Sequence, residues 1–200
     1  MAGASAQGTS DIPPFRLVLP PGWRDSPATR DTLAEIRAEV SAAMKTARRP
    51  DLDLQLRSLL AQTADHLDRA EPLRLYLQSG LPPERRLPLS LSVGRVRGTE
   101  QRSLDSDVIG LVRDHGAAPL DERALAMRWI RNGSVEIPGG TARTRSINYL
   151  IAVPGTERRE ALLFSAVIPV AAGPSLDGEM VERLTLLADS IVATFQWGNR

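Results

Sequence analysis

From Pro72 onward the apolar residues of this chain recur at every second position, and that period restricts the fold more than any other feature. Leu73, Leu75 and Leu77 alternate with Arg74, Tyr76 and Gln78, and Leu87, Leu89, Leu91 and Val93 alternate with Pro88, Ser90, Ser92 and Gly94. Successive strand side chains point to opposite faces, so such segments are half-buried strands with one wet face. That pattern belongs to antiparallel sheets. The Ser79–Arg86 stretch between the two runs predicts a hairpin.

Two further hairpins follow. Asn132-Gly133 suits the left-handed pair of a type I′ turn, which predicts that Ala124–Arg131 pairs with Ser134–Ile137. Thr144–Val153 and Ala161–Val170 flank Pro154-Gly155-Thr156 and predict the next. In Thr144–Val153 the inward set is either Ile147, Tyr149 and Ile151 or Asn148, Leu150 and Ala152, because the apolar run hides which face is core. Pro138-Gly139-Gly140-Thr141 reads as a bulge or bend in the sheet.

The helical period dominates elsewhere. Phe15–Leu19 is a short alternating run stopped by Pro20-Pro21-Gly22, with Trp23 after the turn. Ser26-Pro27 then reads as a helix start, with serine at the cap and proline at the first position. Leu33, Ile36, Val40 and Met44 give that helix one stripe. Asp51 caps a second, with Leu52, Leu56, Leu59, Leu60 and Leu67 on one face, so residues 28–70 form a helical pair. A short helix is predicted over Ser106 to Arg113, ending at Gly116. A last one runs from Ser175 or Asp177 to about Phe195, with Met180, Leu184, Leu187, Ile191 and Phe195 inward.

The chain of 200 residues is 42% hydrophobic and 24% charged. That is enough to bury roughly 70% of the unfolded surface in one core, and it disfavours the disordered and fibrous classes. We therefore expect one α+β domain over 12–198 behind a tail at 1–11. There is no cysteine, which removes disulfides, thiolate metal sites and cysteine nucleophiles. The net charge of +1 gives no nucleic-acid footprint. No segment approaches the ~20 apolar residues of a membrane span, and the first fourteen residues lack the pattern of a secretory signal. The expectation is a cytoplasmic protein with neither a nucleic-acid nor a membrane partner.

Catalytic patterns are sparse. His66, beside Asp65 and Asp68, reads as a solvated helix face, and His115, before Gly116, as a residue complementing a helix C-terminus. No serine sits in a G-x-S-x-G elbow, and Pro138–Thr141 lacks the spacing of a phosphate loop. The pairs Asp105/Asp107 and Asp121/Glu122 are explained by capping and turns. No catalytic, cofactor or metal residues are assigned, and the chain is read as non-enzymatic. One set carries binding chemistry. Arg128, Trp129, Arg143, Arg145 and Tyr149 lie on consecutive predicted strands, and arginines sharing an outer face would make a cationic strip for an acidic partner or an anion. Lys45 is the only lysine, so the other cations are arginine, as a GC-rich genome also produces.

The ends of the chain carry a resemblance. Phe15-Arg16-Leu17-Val18-Leu19-Pro20-Pro21-Gly22-Trp23 opens it, and Ala188-Asp189-Ser190-Ile191-Val192-Ala193-Thr194-Phe195-Gln196-Trp197 closes it after two hairpins and a capped helix. This resembles the PsbP-like α+β proteins, including the actinobacterial LpqN-type proteins. There a "strand, Pro-x-Gly-Trp" start and an "Ile-x-x-Ser-Phe-x-Trp" finish are typical. The resemblance covers residues 12–24 and 120–198, and the middle by element order. It implies an antiparallel sheet of about six strands with helices on its faces, and proteins that bind or stabilise other proteins. The helical stretch at 28–70 is longer than the family's first helix, and no lipobox is present.

The leading expectation is a non-catalytic protein-binding module, of the kind that serves a secretion system as an accessory or chaperone factor or neutralises a toxin. Its partner would be another protein, a second copy included. The alternative is a small-molecule or anion-binding domain with a pocket between sheet and helices.

Overall fold

The computed structural model describes residues 12–29, most of 31–38, 71–78, 81, 85–99, 103–137, 140–170 and 178–198. The alternating segments form one antiparallel sheet of seven strands: β2 (Trp23–Pro27), β3 (Glu71–Gln78), β4 (Ser90–Arg97), β5 (Ala118–Pro119), β6 (Ala126–Ile137), β7 (Gly140–Ala152) and β8 (Glu160–Val170). Their order across the sheet is β2-β3-β4-β8-β7-β6-β5. A separate ribbon joins the two ends of the described chain, pairing β1 (Phe15–Arg16) with β9 (Gln196–Trp197). Among the described residues helical turns follow β2 within 31–38, and two helices are described in full, α1 (Asp105–His115) and α2 (Gly178–Ala193). The fold is mixed α+β as expected, with seven strands and a ribbon where about six were predicted.

Strand register assigns the faces, since residues directly opposite each other share one. Tyr149 stands opposite Phe164 and Arg128, and Phe164 opposite Val93. This face carries the core: Ile147, Tyr149, Ile151, Leu162, Phe164, Ala166 and Ile168 are all 0% exposed. It chooses Ile147, Tyr149 and Ile151 over the alternate set. α2 lies over β7 and β8 and buries Val181, Leu184, Ala188, Ile191 and Val192. Met180, expected inward, is exposed because it falls one position before that stripe begins. Phe195 follows the helix and stacks on Phe15 at 5.7 Å, so an aromatic cluster ties the ribbon to the core.

The reverse face differs from the simple wet face that alternation predicts. One row of register partners crosses it: Ser26, Leu75, Ser92, Ser165, Asn148 and Trp129. All but Ser165 are buried. Polar groups tolerate burial when they bond one another. Ser165 Oγ donates to Asn148 Oδ1 at 3.0 Å, and Ser92 Oγ to the Ser165 carbonyl at 3.4 Å.

Three local expectations change. Ser26-Pro27 ends strand β2 instead of starting a helix; the cap comes later, where Thr29 Oγ1 accepts the Thr32 amide. Phe15–Leu19 keeps only two residues in a strand. Asn132-Gly133 is not a turn. It lies inside β6, opposite Arg145 and Thr144, and the reversal falls after Ile137, which pairs with Gly140. A turn at 132–133 would leave short strands, whereas the later reversal lets β6 pair along its whole length, and the ladder outweighs the dipeptide's local preference. The predicted helix over residues 51–70, with His66, lies outside the described residues, as does the tail at 1–11.

Candidate functional site

Arg128, Arg143, Arg145 and Tyr149 do share one face of the sheet. The register sets Arg128 opposite Tyr149, and Arg143, Arg145 and Tyr149 alternate along β7. That face is the one α2 covers, and α2 supplies the acidic partners itself. Glu182 and Asp189 lie seven residues apart on the helix, hence on one side of it. Glu182 accepts from Arg145 Nη1 at 2.5 Å, and Asp189 from Arg128 Nε at 2.7 Å. Arg143 remains exposed, with no hydrogen bond or ion pair among the described residues. Trp129, next to Arg128 in sequence, belongs to the buried row on the reverse face.

Asp189 is the centre of the cluster. Its Oδ1 also accepts the phenolic hydrogen of Tyr149 at 2.8 Å. One carboxylate oxygen thus holds a buried hydroxyl and a guanidinium at once, leaving Oδ2 without a bond to the described residues. Burial pushes the Tyr149 hydroxyl well above the usual phenol range, and the Asp189 charge adds to it. Burial alone would weaken the Arg128 charge, but the bond and charge of Asp189 outweigh it and move its pKa upward. The cluster fixes the orientation of Arg128, which lies against both the Asp189 carboxylate and the Tyr149 hydroxyl.

Beside it opens a cleft of about 600 Å³ where the end of α1, strand β5, strand β6 and α2 meet. His115, Leu120, Arg128, Trp129, Ile130 and Asp189 are among its lining residues. α1 ends there because Gly116 takes the left-handed conformation at φ 63° and donates to the Val112 carbonyl at 3.1 Å. β5 is only two residues long, so it covers β6 at Met127 and Arg128 and leaves the strand open beyond them.

α1 is unusual in another respect. No residue of it is buried, and Ile109 is 66% exposed and Val112 46%. Val108, Ile109 and Val112 are spaced to share one helical face.

Comparison with known protein families, with curated proteins and with solved structures finds no match to this chain. Among the described residues no helix is long and apolar enough to cross a membrane, and no group of three or more acidic or histidine side chains is placed to hold a metal ion.

Sequence reasoning found the arginines and Tyr149 but missed Asp189 as their partner. The signal was present in the spacing of Glu182 and Asp189, which flank the Leu184–Ile191 stripe at helical intervals. His115 was read as a helix-end residue alone, since nothing local to it announces the cleft.

Proposed function

We propose that this chain is a non-catalytic protein-binding module of PsbP-like architecture, and that α1 is its contact surface. The observation that supports this is the open apolar face of α1. An amphipathic helix in a folded domain turns its apolar stripe inward, whereas Ile109 and Val112 stand in solvent at 66% and 46% exposure. Such surfaces serve as docking sites for an apolar groove on a partner. The arginine strip is less suited to the task, because α2 already occupies Arg128 and Arg145. The accessory or chaperone role in secretion, or toxin neutralisation, rests on the resemblance of the chain ends.

The test is a quantitative capture from lysate of the source organism with wild type and the Ile109→Glu/Val112→Glu variant. A stoichiometric partner held by the wild type and lost by the variant, with unchanged melting temperature, is the expected result. Equal retention by both proteins overturns α1 as the surface.

A second reading, a small-molecule-binding domain, is favoured by the cleft beside Arg128. Its volume of about 600 Å³ falls in the ordinary range of ligand sites, roughly 300–1,000 Å³.

A further inference from the structure

The geometry points to a ligand class for that cleft: a small, planar, uncharged molecule with a hydrogen-bond acceptor and donor on one edge, such as a carboxamide. The inference rests on the cleft being a binding site and is independent of the α1 surface.

The argument begins with the sign of the charge. Arg128 and Asp189 enter the wall as an ion pair at 2.7 Å, so together they present no net charge. An anion drawn to Arg128 meets Asp189 directly behind it. It also meets the C-terminal end of α1, where the helix dipole is negative. A cation drawn to Asp189 meets Arg128, with His115 on the same wall. Neither sign is favoured, in contrast to the anion expected from arginines alone.

The unused hydrogen-bonding capacity has both polarities. Arg128 offers its terminal amino groups, and Asp189 offers Oδ2, while Nε and Oδ1 are committed to each other. A carboxamide satisfies both with its oxygen on the guanidinium and its amino group on the carboxylate. Bonds to charged groups are the stronger kind. The remaining wall near Arg128 includes Leu120 and Ile130, which suit an apolar body. Tyr149 behind the pair keeps Asp189 in place, so the site is preorganised in the absence of ligand.

Three probes of one shape separate the possibilities: benzamide, benzoate and benzamidine. Titrations followed by NMR at the His115 and Ile130 side chains should show benzamide binding about tenfold tighter than either charged analogue, the worth of one charge-assisted bond. Asp189→Asn should swing the preference to benzoate, and Arg128→Gln should swing it to benzamidine. Either variant alone suffices if the other does not fold. Arg183→Gln, on an exposed residue of α2 that does not line the cleft, should leave all three affinities unchanged. A wild-type preference for benzoate or benzamidine overturns the uncharged class while leaving the cleft a binding site. Failure of all three probes to shift the cleft resonances overturns the site itself. Unaltered preference in the folded cleft variants likewise removes Arg128 and Asp189 from recognition.

Discussion

Tyr149 and Asp189 are joined by a 2.8 Å hydrogen bond that runs from the middle of the sheet to the last turns of α2. Tyr149 is fully buried, so its hydroxyl depends on this acceptor. Arg128 shares the same oxygen, and the three side chains fasten β6 and β7 to the helix. The cluster is therefore a structural clamp as well as one wall of the cleft.

Removing the acceptor should cost more than removing the donor. Asp189→Ala leaves a buried hydroxyl unpaired and a guanidinium without its counter-ion, and we expect a loss of about 2–3 kcal/mol. The pair is about a quarter exposed, which keeps the figure below that of a fully buried ion pair. Tyr149→Phe removes one bond and leaves Arg128 paired, costing about 1 kcal/mol. Urea unfolding of both variants checks the order, and equal losses would refute the shared-acceptor account.

Tyr76 and Tyr149 are the only tyrosines. Burial pushes the hydroxyls of both above the usual phenol value, with Asp25 contributing at Tyr76 and Asp189 at Tyr149. In the unfolded chain both titrate near about 10. The stabilisation from keeping them protonated is therefore complete below that pH and lost as pH rises beyond it. Each tyrosine removes roughly 1.4 kcal/mol per pH unit above this point. Absorbance at the phenolate band should show no step in the folded protein, then one cooperative rise for both as it unfolds. A separate titration near the ordinary value would contradict the burial of that tyrosine.

The legible part of the fold was the part where one residue pattern had one outcome. Alternation gave β3, β4, β7 and β8, and Gly116 marked the end of α1. Period alone could not choose between Tyr149 and Asn148 as the inward set, because the reverse face is also buried and its serines and asparagine bond each other there. Asn132-Gly133 misled because a dipeptide reports local preference, while register depends on residues ten or more positions away. The arginine strip was visible, but its neutralisation by Glu182 and Asp189 required knowing which face α2 covers. The cleft was invisible because, although α1, β5 and β6 follow one another, its wall is completed only where α2 brings Asp189, 61 residues beyond Arg128.

Glu160 and Glu182 both pair with arginine, yet their loss should differ severalfold. Glu160 accepts from Arg95 Nε at 3.1 Å and Nη2 at 2.6 Å, and the two side chains are 14% and 7% exposed. Glu160→Ala takes from a buried guanidinium the carboxylate that it holds through two N–H bonds, at a cost of about 3 kcal/mol. Glu182 is 63% exposed, so Glu182→Ala should cost less than about 1 kcal/mol. Adding 1 M salt should leave the first difference nearly intact and shrink the second, because screening acts on the exposed pair. Comparable losses in chemical denaturation would show that burial does not separate these pairs.

Gly133 and Gly116 should respond to alanine with opposite signs. Gly116 holds φ at 63°, and an added Cβ would meet nothing within 4 Å, so only the backbone conformation resists it. Gly116→Ala should lose about 1 kcal/mol for forcing alanine into the left-handed region. Gly133 has no such φ and lies in an extended strand, where an added Cβ would come 3.4 Å from Thr144 Oγ1, an ordinary contact. Glycine weakens a strand interior through its unfolded-state freedom, so Gly133→Ala should gain about 0.5 kcal/mol. Were Asn132-Gly133 a type I′ turn, the same substitution would destabilise the protein. The direction of the melting-temperature shift for Gly133→Ala therefore decides between a reversal at 132–133 and the unbroken strand from Ala126 to Ile137.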